Sequence, residues 1–182
     1  LAGAMLMRGS RQLTREQIDQ KLEALQAKGG VGGGMQSANL TLLGRRDQLA
    51  ESLALLAGVL REPSFPEGEF EQLRMQAITG LEAARKEPGT IAGQALGLHF
   101  DRWPEGHPLH MQTLDESLAQ VRALKREDVV AFHRDFYGTA QGQIAIVGDF
   151  DAAAVKQQLQ ALFGDWKSAR PYAPIDTRHG AA

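Results

Sequence analysis

The sequence predicts an α+β fold in which helices outnumber strands and the sheet is incomplete. Three observations predict it. Capping signals and an apolar period of about 3.6 residues recur along most of the chain. Only two stretches, residues 31–43 and 143–148, read as strands. Two strands make a poor sheet, so further strands are expected upstream of Leu1. With 182 residues the chain suits one domain with a proper core and is short for two. The expected layout is one domain over residues 1–167 and a linker-like tail over 168–182, where three turn-formers interrupt any periodicity.

The apolar start, Leu1-Ala2-Gly3-Ala4-Met5-Leu6-Met7, has no basic n-region or cleavage motif and reads as a helix entered partway, hence a piece of a longer protein. Thr14 and Gln17 form a capping box for the next helix, with Leu13 and Ile18 as its hydrophobic staple. Ile18, Leu22 and Leu25 give that helix one buried stripe, and Gly29-Gly30 stops it. In the extended segment that follows, Gly32, Gly34, Gln36, Ala38, Leu40 and Leu42 are expected on one face. Asp47 is expected to open a helix striped by Leu49, Leu53, Leu56 and Leu60.

Pro63-Ser64-Phe65-Pro66 is a turn, followed by a long helix from Glu67 to about Lys86. Pro88 starts another helix to about Leu98, because proline suits a first helical turn. Residues 103–108 are loop. Thr113 and Glu116 form a second capping box, and a further helix covers residues 126–137. Gln143-Ile144-Ala145-Ile146-Val147-Gly148 reads as a central strand, and Asp151 caps a last helix.

Composition excludes several function classes. Hydrophobic residues make up 43% and charged residues 23%, ordinary for a globular protein. The net charge of -2 and the lack of any Lys/Arg run leave no footprint for nucleic acid. There is no uninterrupted apolar run of roughly 18 residues to span a membrane. The absence of cysteine removes disulfides, thiolate nucleophiles and Cys-based zinc sites. Bacterial envelope and cytoplasm are equally compatible with these features.

No constellation for chemistry emerges. The cluster Gly29-Gly30-Val31-Gly32-Gly33-Gly34 lacks the spacing of a nucleotide loop and sits after a helix and before a strand, the reverse of that context. It reads as a helix C-cap leading to a glycine-rich strand edge. Of five histidines, His107 and His110 form an H-x-x-H with Glu105 nearby, but Pro108 lies between them in a loop, unlike a helical zinc pair. His99 and His133 read as packing or capping groups; His179 lies in the tail. Scattered carboxylates read as solvated helix faces.

The order of motifs, however, is distinctive. An apolar helix start leads to Arg8-Gly9-Ser10 and a Thr-capped helix. A Gly-rich strand, a Leu-striped helix and the run from Pro63 to Arg74 follow. Then come the His-Pro loop, a Thr-Leu cap, Phe136-Tyr137, Ile146-Val147-Gly148-Asp149 and Phe163-Gly164-Asp165-Trp166. Over nearly its whole length the chain resembles a domain of the M16 metallopeptidases, the pitrilysin, insulinase and mitochondrial processing peptidase family. The resemblance implies an antiparallel sheet with helices packed mainly on one side.

Active M16 domains carry H-x-x-E-H just before a [KR]-G-[ST] turn, with two histidines on zinc and the glutamate as general base. Setting Arg8-Gly9-Ser10 on that turn puts the glutamate's place at Gly3 and the second histidine's at Ala4. The third ligand, a glutamate on the long helix, falls at Thr79 or Gly80. Glu82 is two residues on, about 200° around the helix. The resemblance therefore implies a domain with no catalytic residues and no metal of its own, zinc being held by an active half or partner subunit.

What it implies for function is a non-catalytic domain of a larger zinc metallopeptidase, contributing chamber wall, peptide contacts and pairing with homologous M16 domains. The Gly-rich edge at Gly32, Gly33, Gly34, Met35 and Gln36 is the expected place for extended peptide to pair through its backbone. The alternatives are a purely structural M16-like interaction subunit and a small metalloenzyme built on Glu105, His107 and His110.

Overall fold

The computed structural model describes residues 1–177. The end of the predicted tail, with His179, lies outside the described residues. The first elements in chain order are α1 (Ala2–Met5), α2 (Arg15–Ala24), β1 (Lys28–Gly33), β2 (Ala38–Leu43) and α3 (Leu49–Arg61). They are followed by α4 (Glu67–Ala84), α5 (Pro88–His99), α6 (Leu114–Ala123), α7 (Arg126–Phe136) and α8 (Ala152–Phe163). The architecture is α+β: mostly helical, with a two-stranded antiparallel sheet. The chain divides into two compact units, Leu1–Glu69 with Arg126–Ala173, and Phe70–Lys125 with the chain end from Pro174. Composition and turn residues do not mark that division.

The first unit is built around α3. Leu53, Leu56, Ala57, Val59 and Leu60 of this helix are buried, as its leucine spacing predicts. Ile18 and Leu22 of α2, Val31 of β1, Val129 of α7, and Val155 and Phe163 of α8 are buried in the same unit. Ser52 is fully buried on α3, and its hydroxyl has no hydrogen-bond partner. Arg61 at the end of α3 donates to the Leu162 carbonyl and to Asp165 at 3.0 Å, tying α3 to the end of α8. Among the described residues of the second unit, the buried apolar ones are Phe70, Ile78 and Leu118, and α5 buries none. There Arg122 reaches Glu82 at 2.6 Å and Arg85 reaches Asp115 at 2.9 Å.

Both predicted capping boxes form. Thr14 and Gln17 satisfy each other's backbone at the start of α2, and Thr113 and Glu116 do so at α6. Asp151 caps α8 by accepting from the Ala153 and Ala154 amides. Asp47, in contrast, does not open α3. Its carboxylate is taken by Arg45 at 3.0 Å on both oxygens, and the helix starts at Leu49 after a 3-10 turn.

Two strand expectations are corrected. The single extended segment over residues 31–43 is instead a hairpin, in which Lys28 pairs with Leu43 and Gly33 with Ala38. The turn between them is closed by the Gly34 amide donating to the Ser37 carbonyl at 2.8 Å. The turn interrupts the alternation, so Gly32, Gly34, Gln36, Ala38, Leu40 and Leu42 do not share one continuous face. Gly29 belongs to the hairpin rather than to a helix cap: its φ is +150°, and any Cβ there would overlap the Thr41 carbonyl. Glycine lets the two backbones close.

Residues 143–148 form no strand. Ile144 is 57% and Val147 98% exposed, and among the described residues the sheet contains only β1 and β2. Strand preference is a preference for a half-buried pleated surface, and here no neighbouring strand supplies one. No helix of the described residues is long and apolar enough to cross a membrane.

Candidate functional site

Gly3 lies in α1, which packs onto the end of β1. A Cβ at Gly3 would overlap the Gly33 carbonyl oxygen and stand 2.6 Å from the Gly33 Cα and nitrogen. The contact is backbone against backbone. A Cβ at Gly33 would in turn overlap the Tyr137 hydroxyl and stand 3.1 Å from the Gly3 Cα. The place that the resemblance gives to a general base is therefore filled by β1 itself. Ala4 is exposed and carries no donor atom. The next residues are buried, with Met5 and Leu6 fully enclosed.

Arg8-Gly9-Ser10, the turn that sets this register, is held firmly. The Ser64 amide donates to the Gly9 carbonyl at 3.1 Å, and Gly9 adopts φ +149° with Ser64 Oγ 2.8 Å from where a Cβ would stand. Arg8 donates to Glu69 at 2.7 Å. In the second unit, Thr79 and Gly80 lie exposed on α4, and a Cβ at Gly80 would meet nothing within 4 Å. Glu82 is engaged with Arg122.

The Gly-rich edge is unevenly open. Gly32 has free space where a side chain would be, and Met35 is 66% exposed. Gln36 is exposed, and Gly34 is used in the hairpin turn. Gly33 is itself exposed, but a Cβ there would meet the Tyr137 hydroxyl and the Gly3 Cα.

His107 and His110 make contacts within their own loop. His107 Nδ1 accepts from the Leu109 amide at 3.1 Å, and its ring stacks on Trp103 with centroids 4.2 Å apart. His110 Nδ1 lies 2.7 Å from an Asp101 carboxylate oxygen and 2.9 Å from the Trp103 carbonyl. Asp101 also accepts from the Met111 and Trp103 amides, and these hydrogen bonds, ahead of His110, hold its carboxyl below the usual carboxylate range. The H-x-x-H loop is thus organised around Asp101, and its two imidazoles serve that loop. Among the described residues no group of three or more His, Asp or Glu is placed to hold a metal ion. His99 is exposed, edge-on to Phe100.

His133 is different. It is half-buried on α7, and its Nε2 bonds the Leu60 carbonyl at 2.8 Å. Phe65, Tyr137 and Trp166 surround the ring at centroid distances of 5.6, 4.7 and 6.1 Å. Burial pushes its pKa below the ordinary imidazole value, against the Leu60 hydrogen bond that raises it. Burial likewise pushes the Tyr137 phenol upward. Sequence reasoning treated His133 as a packing histidine but missed Tyr137 as the residue behind Gly33. The available signal was their i, i+4 spacing at the end of α7, where the Tyr137 amide still donates to the His133 carbonyl and both rings fall on one face.

Comparison with known proteins supports the same reading. The family model described as the peptidase M16 inactive domain matches residues 123–180. Among solved structures, a crystal structure of a peptidase M16 inactive domain from Pseudomonas fluorescens superposes with a TM-score of 0.76 at 25% sequence identity. The match covers 96% of this chain and 42% of that chain, so this chain spans less than half of the solved protein's length. No curated protein matches. The chain is thus similar to the M16 inactive domain, in sequence over residues 123–180 and in fold over most of its length.

Proposed function

We propose that this domain is a non-catalytic part of a larger zinc metallopeptidase of the M16 type. It forms chamber wall, contacts peptide substrate and pairs with an active half that carries the zinc. The observation that carries this reading is the closure of Gly3 against Gly33. Where an active relative needs a glutamate aimed at metal-bound water, this chain has strand backbone in direct contact with helix backbone. The adjoining edge, with open space at Gly32 and an exposed Met35, suits an extended peptide that pairs through its main chain.

The test uses the full-length protein. A photo-crosslinking residue placed in turn at residues 30–38 is expected to capture bound peptide, and atomic absorption is expected to find no zinc in this domain. Peptide crosslinks that never involve residues 30–38 would remove the substrate contact. About one zinc per domain, lost on mutation of His107 or His110, would overturn the non-catalytic reading in favour of the loop metalloenzyme. A purely scaffolding role is favoured by one observation: Ile144, Val147 and Phe136 are apolar and more than half exposed, as at a protein–protein interface. Stable pairing with a partner M16 domain, with no peptide capture, would select that role.

A further inference from the structure

Away from the Gly3–Gly33 contact, the first unit contains a cavity of about 410 Å³ between the Arg8–Arg15 segment and the Ser64–Glu69 segment. Its wall is fixed by the main chain. The Ser10 amide donates to the Leu13 carbonyl at 2.8 Å, and the Leu13 amide donates back to Ser10 Oγ at 3.2 Å. The Arg11 amide donates to the Glu62 carbonyl at 2.8 Å, so the turn is pinned to the chain ahead of Ser64. Three arginines, Arg8, Arg11 and Arg15, are among the residues that line it.

Two of them converge on one carboxylate. Glu69 lies 2.7 Å from Arg8 and 3.7 Å from Arg15, with Arg8 and Glu69 largely buried. The exposed Arg11 has no ion pair among the described residues. The hydroxyls of Ser10 and Ser64 line the same space, and Ser10 uses its oxygen as an acceptor, which leaves its proton to donate. The α2 end contributes no free anion site, because Thr14 already accepts from the Gln17 amide.

We propose that this cavity binds a carboxylate group, held by Arg11 and Arg15 with the Ser10 and Ser64 hydroxyls. Charge selects the class. Three arginines against Glu16 and Glu69 leave one unit of positive charge in the lining, which one carboxylate neutralises and a dianionic phosphate would reverse. Guanidinium groups bind carboxylates through paired, charge-assisted hydrogen bonds, and Glu69 shows that this wall already accepts that group. The carboxylate is that of a small organic acid or of an acidic residue in a peptide. The proposal is independent of the peptide edge at β1.

The test is titration of the isotope-labelled chain at low salt, followed by amide NMR, with four probes: N-acetylglycine, acetyl-Ala-Glu-Ala-amide, acetyl-Ala-Gln-Ala-amide and inorganic phosphate. Either or both carboxylate probes are expected to shift the amides of Ser10, Arg11 and Ser64, while the Gln peptide leaves them unmoved. Binding of N-acetylglycine alone identifies a free acid as the ligand, and binding of the Glu peptide a peptide side chain. Arg11→Ala is expected to weaken binding about tenfold through loss of a charge-assisted contact, with the unfolding midpoint unchanged. Equal shifts with the Gln peptide, tighter binding of phosphate, or an Arg11→Ala variant that binds like the parent would overturn the proposal.

Discussion

Gly3 and Gly80, the two glycines that the resemblance sets at zinc-site positions, differ in their surroundings. At Gly3, α1 and β1 have closed onto each other, so the backbone occupies the space a side chain would need. At Gly80, in the middle of α4, there is open space and no neighbour within 4 Å. The first position is a glycine because packing requires it. The second is a glycine without local steric cause, in a helix interior where glycine is unfavourable. Adding a side chain at the second position is a local change, whereas adding one at the first means dismantling the contact between a helix and the sheet.

The sharpest way to break this comparison is Gly3→Glu. Overlap with the Gly33 backbone is expected to destabilise the first unit by about 3 kcal/mol or more, since overpacking is compounded by a confined charge. Urea unfolding measures it; a parent-like midpoint would mean that α1 does not seal β1. Gly33→Ala is expected to cost about 1–3 kcal/mol, because the new methyl meets the Tyr137 hydroxyl. Tyr137→Phe in the same chain is expected to restore part of that loss, and a double-mutant cycle with no coupling would dissociate the two residues.

At the open position the sign reverses. Gly80→Ala is expected to stabilise the protein by about 1 kcal/mol through helix propensity alone, read as a higher thermal midpoint. A loss there would reveal a neighbour that α4 does not show. The smallest effect concerns His133, which sits beside Tyr137 on the covered side of β1. Its folded pKa is depressed, so its contribution is fully present above the ordinary imidazole pKa and is lost as pH falls through the lower folded value. Stability measured across mildly acidic pH is expected to decline, and His133→Gln is expected to flatten that decline.

Much of the fold was legible in the residues. Both capping boxes, the Asp151 cap and the leucine stripe of α3 depend on neighbours within one or two turns, and each formed as spacing predicts. Asp47 failed as a cap because a neighbouring arginine offered its carboxylate a charged partner, a competition that capping rules do not weigh. The strands failed for a different reason. Whether Gly29 to Leu43 forms one strand or a hairpin, and whether residues 143–148 pair at all, depends on which backbone lies alongside.

The candidate site divides in the same way. That Gly3, Ala4 and Gly80 carry no donor side chain is legible, since it is a property of the residue. The closure of Gly3 on Gly33, the backing of Gly33 by Tyr137 and the gathering of Arg8, Arg11 and Arg15 around one cavity were not. Those join groups that are distant along the chain or brought together by a turn, and no periodicity records them.

By itself, then, the sequence determined where most helices start and stop, and that Gly3, Ala4 and Gly80 carry no donor atoms in their side chains. Both follow from short-range hydrogen bonding and side-chain identity. Only the tertiary structure decided that Gly3 lies against strand backbone while Gly80 stands open. That outcome depends on how closely two backbones approach, which glycine permits but does not compel.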